Sequence, residues 1–89
     1  MPEISRFFGI VIRMFYFDER QHHAPHLHAY YAEHVAVFSL PEGEQLEGHL
    51  PRRQRRLVEA WIEIHHEELM QCWERASRGQ EPPSVDPLR

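Results

Sequence analysis

The sequence predicts an α+β fold, in which an antiparallel sheet of three to four strands is followed by a C-terminal helical segment packed on one face. Short apolar runs of strand length, separated by turn signals, fill residues 9–48. From Pro51 onward the apolar positions instead recur three and four residues apart, which is the period of an amphipathic helix. We expect one domain over residues 1–79 and an extended or flexible tail over residues 80–89, which contain three prolines.

The first predicted strand covers residues 9–17, and both of its faces are largely apolar. A single helical layer covers only one face of a sheet, so Phe15 and Phe17 on the other face would form an apolar patch. Such a patch usually marks a surface for a partner or for self-association. Alternatively, the N-terminal segment that includes Phe7 folds across this face and covers it.

Three further strands are expected, over residues 27–31, 35–40 and, as a short edge strand, 45–48. The connection between the first two of these is short enough for a hairpin. Residues 41–44, with the sequence Pro-Glu-Gly-Glu, are a turn signal.

The helical period begins at Pro51, which suits a first helical position, and Gly79 suits the residue just after the end. Periodicity allows either one long helix or two helices with a break near His65 and His66.

Composition excludes several classes of function. The 89 residues carry a net charge of -4 and contain no Lys, Thr or Asn, which rules out Schiff-base chemistry, a P-loop and a Thr nucleophile. The lone Cys72 allows no internal disulfide and fits a reducing cytoplasm. The sequence shows no signal-peptide pattern and no apolar run of membrane-spanning length, so we expect a cytoplasmic protein without a membrane partner.

Four histidines crowd the seven residues from His22 to His28, and imidazole both binds metals and titrates near neutral pH. In an extended segment, side chains two residues apart share a face, so His26 and His28 should project side by side. We take both, together with His65 from the helix, as the candidate catalytic residues.

Three imidazoles from a strand and a packed helix could bind zinc, with Asp18 or Glu68 supplying an oxygen ligand or orienting a ring. A metal-free variant would use two of the histidines as general acid and base on a phosphodiester, as in a small ribonuclease. The structural alternative is that the histidines fix the loop through backbone hydrogen bonds. The spacing alone is a weak metal signal, so we expect the structural role, without a cofactor, ahead of zinc.

The helix starts with four arginines, Arg52, Arg53, Arg55 and Arg56. The macrodipole is already positive at a helix N-terminus, so each cation there costs a few tenths of a kcal/mol. Either local pairing, such as Arg55 with Glu59, or an anionic partner would compensate. Because no aromatic residues interleave with the run, an acidic protein is the expected partner ahead of RNA.

Several segments together resemble a family of short bacterial proteins catalogued as a domain of unknown function. The resemblance runs from Pro2 to about Pro87. It rests on Ile4-Ser5-Arg6-Phe7-Phe8-Gly9-Ile10, Pro25-His26-Leu27-His28-Ala29, Leu50-Pro51-Arg52-Arg53, Trp61, His65, Glu67-Glu68-Leu69 and Trp73. It implies no settled biochemical activity, but a gene often adjacent to that of another small protein, as in a toxin–antitoxin pair.

These observations favour a small cytoplasmic protein-interaction module, possibly one component of such a pair. Its partner would be a small protein encoded nearby or a second copy of the chain. The alternative is a metal-dependent or histidine-based hydrolase or ribonuclease centred on His26, His28 and His65.

Overall fold

The computed structural model describes residues 2–15 and 24–89. Within these residues the chain forms a five-stranded antiparallel sheet and one helix. The elements are β1 (Glu3–Phe7), β2 (Ile10–Arg13), β3 (His26–Tyr31), β4 (His34–Ser39), β5 (Gln45–Gly48) and α1 (Arg52–Ser77). The strands lie in the sheet in the order of the chain. The predicted α+β class is confirmed.

The strand count is higher than the predicted three to four because β1 was not expected. A tight turn at Phe8 and Gly9, whose φ angles are 49° and 79°, joins β1 to β2. Two successive positive φ angles are typical of a two-residue hairpin turn. The predicted first strand over residues 9–17 is therefore the second strand, and it ends at Arg13. Phe17 and Asp18 lie outside the described residues.

The sheet has one face buried under α1. Alternate residues of β2 and β3, such as Ile10, Ile12 and Ala29, are fully buried there. The helix contributes the buried side chains Val58, Trp61, Ile62, Leu69, Cys72 and Ala76. These spacings of three and four residues form one apolar stripe, which explains why the sequence pattern predicted the helix.

The N-terminal segment does not cover the other face of the sheet, so that alternative was wrong. Phe7 is buried in the same core as α1, with its ring centroid 5.2 Å from that of Trp61. Phe8 is 58% exposed in the hairpin turn. The face opposite α1 carries the half-buried Phe15 and Tyr30, the exposed Val35 and the buried Val37.

The helix is hydrogen-bonded from Arg52 to Ser77 but is kinked at His65, whose φ and ψ angles are -111° and 20°. Both expectations, one helix and a break at this position, therefore describe part of the structure. Pro51 precedes the helix as its N-cap residue and does not occupy the first helical position. No helix in the described part of the chain is long and apolar enough to cross a membrane.

Residues 80–89 contain no helix or strand but pack against the domain. The backbone N–H of Val85 donates to the carbonyl oxygen of Ile4 at 2.8 Å, and the Val85 side chain is buried. The indole N–H of Trp61 donates to the carbonyl oxygen of Asp86, also at 2.8 Å. The tail thus lies across Trp61 and along β1.

Gly48 provides a test of the sheet register. Its φ is +79°, and a Cβ added there would lie 2.2 Å from the Val35 carbonyl oxygen and 2.8 Å from Ala36 Cα. We expect Gly48→Ala to lower the free energy of unfolding by more than about 2 kcal/mol, because backbone atoms must move to relieve the contact. Urea denaturation monitored by tryptophan fluorescence measures the change.

The control is Gly79→Ala, which also has a positive φ, 75°, but lies after the end of α1. Gly79→Ala should lower the free energy of unfolding by only about 1 kcal/mol, because a residue with a Cβ is strained by about that amount in the left-handed backbone conformation. Equal losses for the two variants would contradict the close approach at Gly48.

Candidate functional site

His26 lies at the start of β3 and is almost fully buried, at 2% exposure. Its Nδ1 is 2.9 Å from the carbonyl oxygen of Ala24. A carbonyl can only accept, so Nδ1 carries a proton and donates it to this hydrogen bond. The imidazole ring also contacts the indole of Trp73 from α1, with centroids 5.0 Å apart. His26 therefore joins the beginning of β3 to the second half of the helix.

His28 lies two residues further along β3 and its ring centroid is 5.5 Å from that of His26. The predicted side-by-side projection of the two imidazoles is thus what the strand produces. The half-buried His28 ring packs edge-on against Phe15 at 4.4 Å and lies nearly parallel to Tyr30 at 6.5 Å. We call Trp73, His26, His28, Phe15 and Tyr30 the histidine–aromatic row.

The histidine–aromatic row includes contacts that sequence reasoning did not anticipate. Tyr30 lies two residues after His28 in the predicted strand and so shares its face, whereas nothing in the sequence predicted that Trp73 of the helix contacts His26. The guanidinium carbon of Arg13, on the neighbouring strand, lies 5.8 Å from the Tyr30 ring centroid, within cation–π range. Its position two residues after Val11 in β2 was the available signal for placing it on this face.

His65 has different neighbours from the histidine pair. Its ring centroid is 5.7 Å from that of Trp61, and its Nδ1 donates to Glu68 Oε1 at 2.9 Å. Its side chain is 14% exposed, whereas that of Glu68 is 57% exposed, so this hydrogen bond reaches solvent. The neighbouring His66 is the exposed member of the two and donates to the carbonyl oxygen of Glu63.

The three candidate histidines do not form a metal centre among the described residues. No group of three His, Cys, Asp or Glu side chains in residues 2–15 and 24–89 is arranged to hold a metal ion. The pair of His26 and His28 is brought together, and His65 does not join it in such a group. Asp18, one proposed oxygen ligand, falls in the undescribed segment 16–23.

Cys72 is the one side chain in the sequence that could act as a thiol nucleophile, and the fold buries it completely. Burial raises the pKa of this thiol, and the nearby Glu68 carboxylate raises it further. Its Sγ lies 3.6 Å from the Pro83 carbonyl oxygen in the C-terminal tail. Cys72 is therefore a core residue and not a reactive one.

The arginines at the start of α1 form a separate feature. Arg52, Arg53 and Arg56 are exposed and surround the half-buried Leu57 in a shallow depression, which we call the arginine surface. None of the three forms an ion pair with any residue that the structure describes. Arg55 lies 3.9 Å from Glu59, the expected i,i+4 partner, at the outer limit of an ion pair.

A second depression borders the same helix, between α1 and the turn from β4 to β5. It is lined by Pro41, Glu42, Gly43, Glu59, Glu63 and His66, and we call it the acidic depression. Sequence reasoning missed it because its members come from two distant segments. The closely spaced Glu59 and Glu63 were the only local signal.

Comparison with protein families gives a match over most of the chain. A family model described as a domain of unknown function, DUF4160, matches residues 9–74. The matched region contains the histidine pair, the arginine surface and Trp73, and it leaves out β1 and the tail. No curated protein and no solved structure matches the chain significantly.

His26 and His66 form a matched pair for testing the buried histidine. We expect His26→Ala to lower the free energy of unfolding by about 2 kcal/mol, because it removes a buried ring that contacts Trp73 and hydrogen-bonds the backbone. His66→Ala removes an exposed ring and should change it by less than about 0.5 kcal/mol. Thermal and urea unfolding followed by circular dichroism measure both values, and similar losses would refute the structural role of His26.

Proposed function

Because the chain belongs to the family of the domain of unknown function DUF4160, which carries no assigned activity, we propose a function from its surfaces. We propose that it is a cytoplasmic protein-interaction module whose arginine surface binds carboxylates of a protein partner. The partner is a small protein encoded nearby or a second copy of the chain.

The observation that carries this proposal is the charge at the start of α1. The first turn of the helix contains no acidic residue, and the helix has no side-chain N-cap. Arg52, Arg53 and Arg56 therefore add exposed positive charge where the macrodipole is already positive. Such an arrangement costs stability in the isolated chain, and an anionic partner would recover that cost.

The composition of the arginine surface supports a protein partner ahead of RNA. Guanidinium groups pair with carboxylates through two parallel hydrogen bonds, and Leu57 supplies an apolar floor between them. None of the described residues that line this depression is aromatic, whereas single-stranded nucleic acid is usually held by stacking on aromatic rings. The overall charge of -4 also disfavours nonspecific binding to phosphates.

A toxin–antitoxin-like pair is the form of two-protein system that we propose. Its support is the gene organisation that the family resemblance implies. The buried, unpaired Cys72 fits the reducing compartment in which such a pair would act. Phe15 remains a second proposed contact on the sheet face opposite α1, while Phe17 lies outside the described residues.

The double variant Arg52→Glu, Arg53→Glu tests the arginine surface. We expect it to weaken binding to the coexpressed product of the adjacent gene by at least about tenfold, because two attractive contacts become repulsive. Calorimetry with the purified proteins measures the affinity. Growth of cells expressing either protein alone, or both, tests the toxin–antitoxin form.

Arg75→Glu with Arg78→Glu is the matched control, because it changes the net charge equally at the other end of α1. This control should bind as the unmodified chain does. Binding that survives the substitutions at Arg52 and Arg53, or that both double variants lose alike, would remove the arginine surface from the proposal.

The alternative function is acid–base hydrolysis, and the adjacency of His26 and His28 favours it. Because Nδ1 of His26 donates to the Ala24 carbonyl oxygen, Nε2 is the ring atom that would have to act as the base. A second imidazole 5.5 Å away, measured between ring centroids, could act as the acid on a phosphodiester. We place this function second, since His65 contacts Trp61 and Glu68 and does not complete the cluster.

His28→Ala tests this alternative without removing the buried His26. If the chain is a ribonuclease, cleavage of a fluorogenic oligoribonucleotide should fall by at least about a hundredfold. His66→Ala, on the exposed helix surface, should cleave normally. Metal analysis of the tag-free protein tests the zinc-dependent form of this alternative. That form requires stoichiometric zinc in the unmodified chain and loss of the zinc in His26→Ala. Absence of cleavage by the unmodified chain would end the ribonuclease alternative.

A further inference from the structure

The solvent-facing side of α1 changes sign along its length. The arginine surface occupies the first two turns, and the acidic depression begins at Glu59 in the next turn. Glu42 from the turn after β4 adds a third carboxylate to Glu59 and Glu63. The same helix thus presents a positive surface in its first two turns and a negative surface in the turns that follow.

Apolar side chains lie between and beside these charges. Ile64 is 64% exposed, the highest exposure of any large hydrophobic residue in the described part of the chain. Ala60, one turn before it, is exposed and small, and Leu57 is half-buried one turn earlier still. Spacings of three and four residues place Leu57, Ala60 and Ile64 in one stripe along the helix.

These three features fit a second copy of the same helix in antiparallel orientation. In a two-fold symmetric interface, if residue i of one copy contacts residue j of the other, then j also contacts i. With the two-fold axis passing between Glu59 and Ala60, Arg56 of each copy faces Glu63 of the other. The two residues are seven positions apart, or two helical turns and roughly 10 Å, so they cannot pair within one helix.

We infer that the chain forms a homodimer in which two α1 helices pack antiparallel across the Leu57, Ala60 and Ile64 stripe. Arg56 of the arginine surface of each copy then lies against Glu63, at the edge of the acidic depression of the other. This inference rests on the proposed function, since it names the partner of the same arginine surface.

A second copy accounts for the observations better than an unrelated acidic protein does. An unrelated partner explains the arginine surface but leaves the acidic depression and the exposed Ile64 without a role. A second copy uses all three at once and forms each charge contact twice. The small side chain of Ala60 beside the axis also allows close approach of the two helices, as small residues do at helix crossings.

The kink at His65 limits the extent of this interface. Beyond His65 the helix axis changes direction, so the straight segment available for pairing runs from Arg52 to Ile64. A helix interface of this length is short. We therefore expect the dissociation constant of the dimer to be sensitive to single substitutions and to ionic strength.

Charge reversal and its rescue test the dimer. Sedimentation equilibrium on the full chain should show a dimer for the unmodified protein. Arg56→Glu and Glu63→Arg should each weaken dimerisation by at least about tenfold, because each places two like-charged contacts in the interface. The double variant restores both pairs with their signs exchanged and should return to within about threefold of the original affinity.

Arg78→Glu is the control, since it alters an exposed arginine beyond the end of α1 and should leave the dimer intact. Circular dichroism establishes that each variant is folded, which the exposure of both substituted residues leads us to expect. A mixture of the two single variants should associate more strongly than either does alone.

Three results would overturn the inference: a monomeric unmodified chain at its highest soluble concentration, a dimer insensitive to both single substitutions, or a double variant as weak as the single ones. Different results decide the proposed function. It survives if the adjacent gene's product binds a monomeric chain and the Arg52 and Arg53 substitutions abolish that binding. It falls if those substitutions affect neither that complex nor the dimer.

Discussion

The burial of Trp61 is the interaction on which the rest of the structure depends. Its ring is fully buried, and it contacts Phe7 of β1 and His65 of its own helix. Its indole N–H donates to the Asp86 carbonyl oxygen, so the tail is fixed by the same side chain. A buried tryptophan can remove 150–250 Å² of surface from water, a large share of the core of an 89-residue chain. One side chain thus joins the sheet, the helix and the C-terminal tail.

The kink at His65 explains how the helix reaches the histidine pair. By register, His26 pairs with Ser39 and should point away from the face that α1 covers, because Leu27, the next residue, is buried beneath the helix. Yet the His26 ring contacts Trp73. The second half of α1 therefore lies beside the first residue of β3, where a side chain from either face of the strand can contact the helix. The change of direction at His65 separates this half of α1 from the half that covers the sheet.

The sequence predicted most of the fold because local patterns and tertiary structure agree there. It missed β1 for two local reasons. The register shift between Glu3 and Ser5 is a bulge that buries Ile4 and Ser5 in succession, which hides the period of two. The turn that follows begins with Phe8, a residue that rarely adopts positive φ. For the candidate site, spacing was sufficient for His26 and His28 on one strand, but it could not place His65, whose neighbours depend on the kink and on Trp61.

The charges at the start of α1 are opposed to its dipole, which ties stability to association. Arginines occupy the positive N-terminal end, whereas Arg75 in the last turn complements the negative end. The N-terminal arrangement is unfavourable by a few tenths of a kcal/mol per charge in a single helix. Folding alone gives no reason for this arrangement, since Arg52, Arg53 and Arg56 are exposed and contribute nothing to the buried stripe. In the proposed antiparallel dimer, Glu63 of the second copy would lie beside Arg56, and the positive charge at this end would become favourable.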